Sequence, residues 1–197
     1  MLSQFISEKE AVLLGDLDFD FPEGIHAVGR LDKHSEGLLI LTTNKRVTRL
    51  LFQGSTLHKR TYLVKVKNTV GEARLHQMST GINIRIKGGM QYTTSACEVT
   101  IVQPPAGLFA AASPFPEYPP FTWLQITLTE GKYHQIRKMT AAVHHKCQRL
   151  IRTGIEELLL NGLLPGEVRE LEETAFFRLL HISNWKEEPH PPTADEA

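Results

Sequence analysis

From Thr122 to Leu128 the chain alternates, with Thr122, Leu124, Ile126 and Leu128 falling on one face. A period of two means a strand with one face buried and the other wet. Thr61 to Val66 repeats the pattern: Tyr62, Val64 and Val66 lie on one face, Leu63 and Lys65 on the other. Ile82, Ile84 and Ile86 alternate into a Gly88-Gly89 turn, which predicts a second strand running on to Val102. Leu38 to Leu41 is a continuous apolar run between turn signals, the pattern of a strand buried on both faces. Short strands are also predicted at 25–28, 148–153, 168–172 and 176–182, with a helix or loop at 155–160. Helical spacing occurs at 44–52, at 71–79 and from Gln135, where Ile136, Met139, Thr140 and Val143 recur at one face. Strands outnumber helices and many are of the antiparallel type, so the expected class is α+β.

A chain of 197 residues, 41% hydrophobic and 22% charged, can bury a sizeable core. No apolar run approaches the ~20 residues of a membrane span. The amino terminus lacks the pattern of a signal peptide. Cys97 and Cys147 cannot supply a disulfide framework. A cytoplasmic monomer is the expectation. Six of the eleven prolines lie within 104–120, an irregular connection. Residues 1–183 should form one domain, followed by a disordered, acidic and proline-rich tail at 184–197.

Net charge is zero, which by itself argues against a nucleic-acid binder. The distribution argues for one. Residues 30–67 hold nine basic and two acidic side chains, a net of +7, and residues 131–152 hold six basic and none acidic. A fold that joins these blocks makes a positive face on a neutral protein.

The second block contains Gly131-Lys132-Tyr133-His134-Gln135-Ile136-Arg137-Lys138-Met139. Cations and an aromatic interleaved at a helix start suit RNA: the cations meet phosphate and the ring can stack on a base. Read locally, Asp32 is a turn aspartate and Arg137 a surface residue of an amphipathic helix. His134, His144, His145 and Cys147 fit no zinc spacing, and no metal is expected. Phosphate-loop, dinucleotide and nucleophile-elbow motifs are all missing, so no cofactor is indicated.

Gly29-Arg30-Leu31-Asp32-Lys33-His34-Ser35-Glu36-Gly37-Leu38-Leu39-Ile40-Leu41-Thr42 resembles the GRLDxxSEGLLLLT signature of the RsuA-type pseudouridine synthases. Glu130-Gly131 through Gln135-Ile136-Arg137-Lys138-Met139 resembles that family's EGxxxQ[IV]R[RK]M signature, and Arg60-Thr61-Tyr62 its basic residue before a strand tyrosine. Order and spacing agree, and the similarity runs from about Met1 to about Leu180. The branch most resembled is RluE, a large-subunit ribosomal RNA enzyme without a separate S4 domain.

The resemblance implies a two-lobed catalytic domain around a mixed, largely antiparallel sheet. It implies isomerisation of one uridine in large-subunit (23S) ribosomal RNA, free or in an assembly particle, with no cofactor. Asp32 would be the catalytic aspartate at the floor of a cleft, paired with Arg137, with Tyr62 against the uracil ring. Ile136 would pack beside the base and Arg30 near the nucleotide's backbone. Lys33, Lys59, Arg60, Lys132, His134, Gln135 and Lys138 are the further candidates for RNA contact. Family members begin with a strand carrying a KPxG-type segment, just before residues resembling Leu2 to Phe5. This chain starts at Met1, so a sheet lacking that strand is expected. Arg60 also stands where the family often has Lys.

The residue types suit the chemistry. The target must leave its stack, at a cost of a few kcal/mol. Phosphate contacts and base stacking, worth ~1–3 kcal/mol per base, offset that cost. An arginine beside a carboxylate favours its ionised form and fixes its geometry. Two other functions compete: a non-catalytic RNA-binding or ribosome-assembly module on the same fold, and a glycosidase. The second would need another acid near Asp32, for which Glu36 is the only close candidate.

Overall fold

The computed structural model describes residues 1–8, 10–52, 56–111, 120–183 and 185–186. The strands are β1 (His26–Val28), β2 (Glu36–Gly37), β3 (Ile40–Thr42), β4 (Arg60–Lys67), β5 (Asn83–Arg85), β6 (Gln91–Thr93), β7 (Glu98–Ile101), β8 (Phe121–Leu128), β9 (Cys147–Ile155) and β10 (Leu158–Leu159). The helices are α1 (Val47–Phe52), α2 (Glu72–Thr80), α3 (Gln135–Ala142) and α4 (Glu173–Leu179).

The main sheet runs β10-β9-β4-β8-β7, antiparallel throughout, with β2 added parallel to β9. It is therefore mixed and largely antiparallel, and the class is α+β as expected. β1 pairs with β3 and β5 with β6, each as a separate two-stranded antiparallel sheet. The long alternating strands lie at the centre because both their neighbours supply ladder bonds: β4 pairs with β8 along all eight residues. The inward residues Val64, Val66, Leu124, Ile126 and Leu128 pack with Ile136, Met139 and Val143 of the α3 region. A second apolar cluster joins Val28, Ile40, Val47 and Leu51 to Ile155, Phe177 and Leu180.

Residues 168–172 and 176–182 are not strands. The first is irregular, and the second falls largely within α4. Residues 176–182 are a short apolar run broken by Arg178 and His181, which admits either period. Burying Phe177 and Leu180, three apart, against the second cluster favours one helical face instead. Residues 155–160 form a turn and β10. The strand expected after Gly88-Gly89 divides into β6 and β7, which belong to different sheets. Of the expected tail, Trp185 stacks on Phe177 with ring centroids 4.6 Å apart, while residues 184 and 187–197 lie outside the described residues. Among the described residues, no helix is long and apolar enough to cross a membrane.

Candidate active site

The loop carrying Asp32 is held at both ends. The Ser3 hydroxyl accepts from the Leu31 amide at 3.1 Å and lies 3.3 Å from the Leu31 carbonyl. The Ser35 amide donates to the Asp32 carbonyl at 2.8 Å and closes the turn. Beyond it, Arg149 grips Glu36 with two bonds, Nε to Oε1 at 3.1 Å and Nη2 to Oε2 at 2.8 Å. Glu36 is thus committed to Arg149 as a structural partner. Gly37 follows with φ +101, and a Cβ there would lie 2.3 Å from the Arg152 carbonyl oxygen. Only glycine lets β2 approach β9 this closely.

The start of α3 is built as firmly. Glu130 accepts from the Tyr92 hydroxyl in a short bond, from the Ser95 amide at 2.9 Å and from Gln135 Nε2 at 2.7 Å. Gln135 Oε1 in turn accepts from the Lys132 amide at 2.8 Å. Burial works to raise the Glu130 carboxyl. The hydrogen bonds from Tyr92, Ser95 and Gln135 outweigh it and hold the carboxyl below its ordinary value. Gly131 leaves room for the Arg60 guanidinium, whose Nη1 lies 3.0 Å from where a Cβ would stand. His134 precedes the helix in the left-handed region, at φ 54.

The two segments meet although 105 residues separate Asp32 from Arg137. His134 Nε2 lies 3.5 Å from Asp32 Oδ1, and the Asp32 side chain stays 30% exposed. Arg137 Nη2 donates to the His34 carbonyl at 2.5 Å and to Ser35 Oγ at 3.2 Å, and Nη1 lies 3.6 Å from Cys147 Sγ. The expected Arg137–Asp32 pair is therefore replaced: among the described residues, the side chain within ion-pair distance of the Asp32 carboxylate is His134. Arg137 projects one helical turn beyond His134 and meets the loop where it has advanced past Asp32. The Cys147 thiol is pushed up to about 11 by burial, against the opposing pull of Arg137.

Tyr62 stands on β4 directly opposite Arg152 of β9. Arg152 is 4% exposed, and its Nε donates to the Leu38 carbonyl at 2.8 Å. Its Nη2 finds no hydrogen-bond partner among the described residues. Burial pulls this guanidinium down, and the Tyr62 phenol beside it opposes the shift. Arg149 and Arg152 are site-building residues that sequence reasoning missed, and Glu130 was quoted in the second signature without a role. Their signal was a charged side chain at the heart or the end of an apolar strand, at Leu150-Ile151-Arg152 and Leu128-Thr129-Glu130.

Two expected contacts fall elsewhere. Ile136 is 4% exposed and belongs to the main core. Gln135 is equally buried, with both ends of its amide used inside the protein. Their apolar and bonding needs are met by the fold. Arg60 donates to the Thr129 carbonyl at 3.0 Å and packs over the Phe52 ring, while Lys59 Nζ pairs with Glu98 Oε1 at 3.2 Å. Arg30, Lys33 and Lys132 are exposed, and Lys138 is half-buried. A groove of about 1140 Å³, lined by Leu14, Phe19, Leu158 and Phe176 among others, reaches Asp32 and Lys33 but not Tyr62, His134 or Arg137. Asp32 stands where that groove and the start of α3 adjoin.

The chain matches the family described as RNA pseudouridylate synthase over residues 7–142. It belongs to that family. Its members are isomerases that modify RNA. A ribosomal large subunit pseudouridine synthase E from Vibrio vulnificus is 35% identical over 172 residues, covering 86% of this chain and 70% of that one. The protein of the same name from Xanthomonas axonopodis pv. citri is 30% identical over 167 residues, covering 84% and 85%. A solved pseudouridylate synthase superposes with a TM-score of 0.65 at 26% identity. That match covers 82% of this chain, which spans 63% of the solved one.

Proposed function

We propose that this chain converts one uridine of large-subunit ribosomal RNA to pseudouridine, with Asp32 as the catalytic carboxylate on a nucleotide swung out of its stack. The observation that best supports this reading is the approach of His134 to Asp32, with Arg137 bracing the same loop two residues on. The names of the relatives favour the large-subunit substrate. The reaction breaks the N1–C1′ bond and joins C5 to C1′, and the proton lost at C5 is balanced by one gained at N1. No electrons and no water are consumed, so beyond the Asp32 carboxylate the protein need only bind, orient and shield.

Asp32 is the acid left over once Glu36 is committed to Arg149, and its exposed carboxylate can reach a nucleotide arriving from solvent. Arg30, Lys33 and Lys132 supply cations for the flanking phosphates. Tyr62, fixed beside Arg152, is the ring against which the uracil would lie.

Ribosomal RNA from a strain lacking the gene, mapped by carbodiimide treatment and primer extension, should lose one pseudouridine stop. Returning the gene should restore it, and returning Asp32→Asn should not, although that variant should still bind the RNA. An unchanged set of stops rejects the enzymatic reading. RNA binding without any isomerisation would instead favour the non-catalytic module.

A further inference from the structure

We propose that Tyr133 is a stacking platform for the nucleotide beside the target uridine, and that His134 links this platform to Asp32. The inference rests on the reading of the site as a pseudouridine synthase centre and adds a subsite to it.

Tyr133 is 66% exposed and belongs to none of the apolar clusters. Its position in the chain is the turn between β8 and α3, directly before the residue that touches Asp32. The ring is nevertheless ordered by contacts. It lies on the His134 imidazole with centroids 3.9 Å apart and planes 18° from parallel. The same imidazole carries Nε2 to within 3.5 Å of Asp32 Oδ1. Ring, imidazole and carboxylate are thus in series, within one nucleotide's reach.

The backbone supports a purpose for this arrangement. His134 has φ 54, a conformation that a residue with a Cβ adopts at a cost of roughly 1–2 kcal/mol. Glycine would relieve the strain at that position but could not bridge the two groups. Lys138 Nζ lies over the Tyr133 ring, 5.1 Å from its centre, and the exposed Lys132, on the same turn as Tyr133, lies over the Tyr92 ring. An exposed π face with a long lysine over it matches an unpaired nucleobase with its phosphate, the lysine swinging from the ring to the phosphate as the base arrives. When the target uridine leaves the stack, its neighbour is left without a partner, and the Tyr133 face can replace it.

The test uses the full chain and a transcript carrying the uridine that it modifies. Copies are made abasic at the 5′ or the 3′ neighbour. Tyr133→Ala should lower kcat/KM on the intact transcript by roughly 5- to 100-fold, chiefly through KM. On one of the abasic transcripts the same change should cost little. Tyr133→Phe and Tyr133→Trp should retain the wild-type preference. In a His134→Ala background, Tyr133→Ala should cost less than it does in the wild type. Equal losses on intact and abasic RNA, or none at all, overturn the platform. If the wild type modifies no uridine, the functional reading fails separately. The platform is then judged with single-stranded oligonucleotides containing 2-aminopurine. Quenching by the wild type that Tyr133→Ala abolishes supports it, and quenching that is unchanged or missing overturns it.

Discussion

Arg137 donates to the backbone carbonyl of His34, two residues past Asp32 in the chain. An arginine of the second basic block therefore braces the candidate catalytic loop of the first. The same nitrogen, Nη2, also reaches Ser35 Oγ, while Nη1 lies against Cys147 Sγ. Arg137→Met should lower turnover roughly 100-fold or more and destabilise the fold by about 1–3 kcal/mol. Arg137→Lys should recover part of the stability and little of the rate, because one ammonium nitrogen cannot hold His34 and Ser35 as Nη2 does and also meet Cys147 Sγ as Nη1 does. Single-turnover kinetics and urea melts check this, and near-normal turnover in the Met variant refutes the bracing role.

Glu36 and Arg149 form a two-bond pair with side chains only 17% and 12% exposed, and Arg149 also holds the Phe109 carbonyl. Removing either partner strands a charge in a poorly hydrated place. Glu36→Gln and Arg149→Met should each cost about 2–4 kcal/mol. The double variant should cost clearly less than their sum, with a coupling above about 1 kcal/mol. Additive losses in a double-mutant cycle would mean that the pair does not act as a unit.

Glu130 gives an acid dependence whose sign follows from its lowered carboxyl. A carboxyl depressed in the folded state adds stability that is present above its ordinary value of about 4.3 and lost as pH falls through the lower folded value. Tyr92 shifts the other way: the Glu130 hydrogen bond, then burial, raise its phenol above 10.0. Its contribution is present below that value and is lost as pH rises through the raised one. Wild-type urea midpoints should therefore fall in strong acid more steeply than those of Glu130→Gln. Parallel acid slopes for the two proteins would reject the assignment.

Lys33 and Lys132 are exposed, whereas Lys59 is occupied by Glu98. Neutralising Lys33 or Lys132 should weaken RNA binding and flatten the salt slope by roughly 0.7 for each single-strand phosphate that the protein no longer neutralises. Lys59→Ala should change the slope less. Binding isotherms at several salt concentrations decide this, and a larger effect at Lys59 would move the RNA path towards the β7 side.

Much of this molecule was legible along the chain. Period-two alternation located β4 and β8, because their sides meet a core and solvent in turn. Helical spacing located α1, α2 and α3 to within a few residues. Resemblance singled out Asp32, Tyr62 and Arg137. The strand expected at 176–182 is a helix for much of its length, because a short apolar run admits both periods and packing against Val28, Val47 and Leu51 selected the helix.

Sequence alone determined the α+β class and the two basic blocks, because composition and periodicity are properties of neighbours in the chain. Tertiary structure decided who touches whom: His134 rather than Arg137 on the Asp32 carboxylate, Arg149 on Glu36, Arg152 beside Tyr62. Such pairings depend on how far a helix turn and a loop advance before they meet. Ångström-scale distances between segments so far apart in the chain are set by the packing of β4, β9 and α3, and no local pattern encodes them.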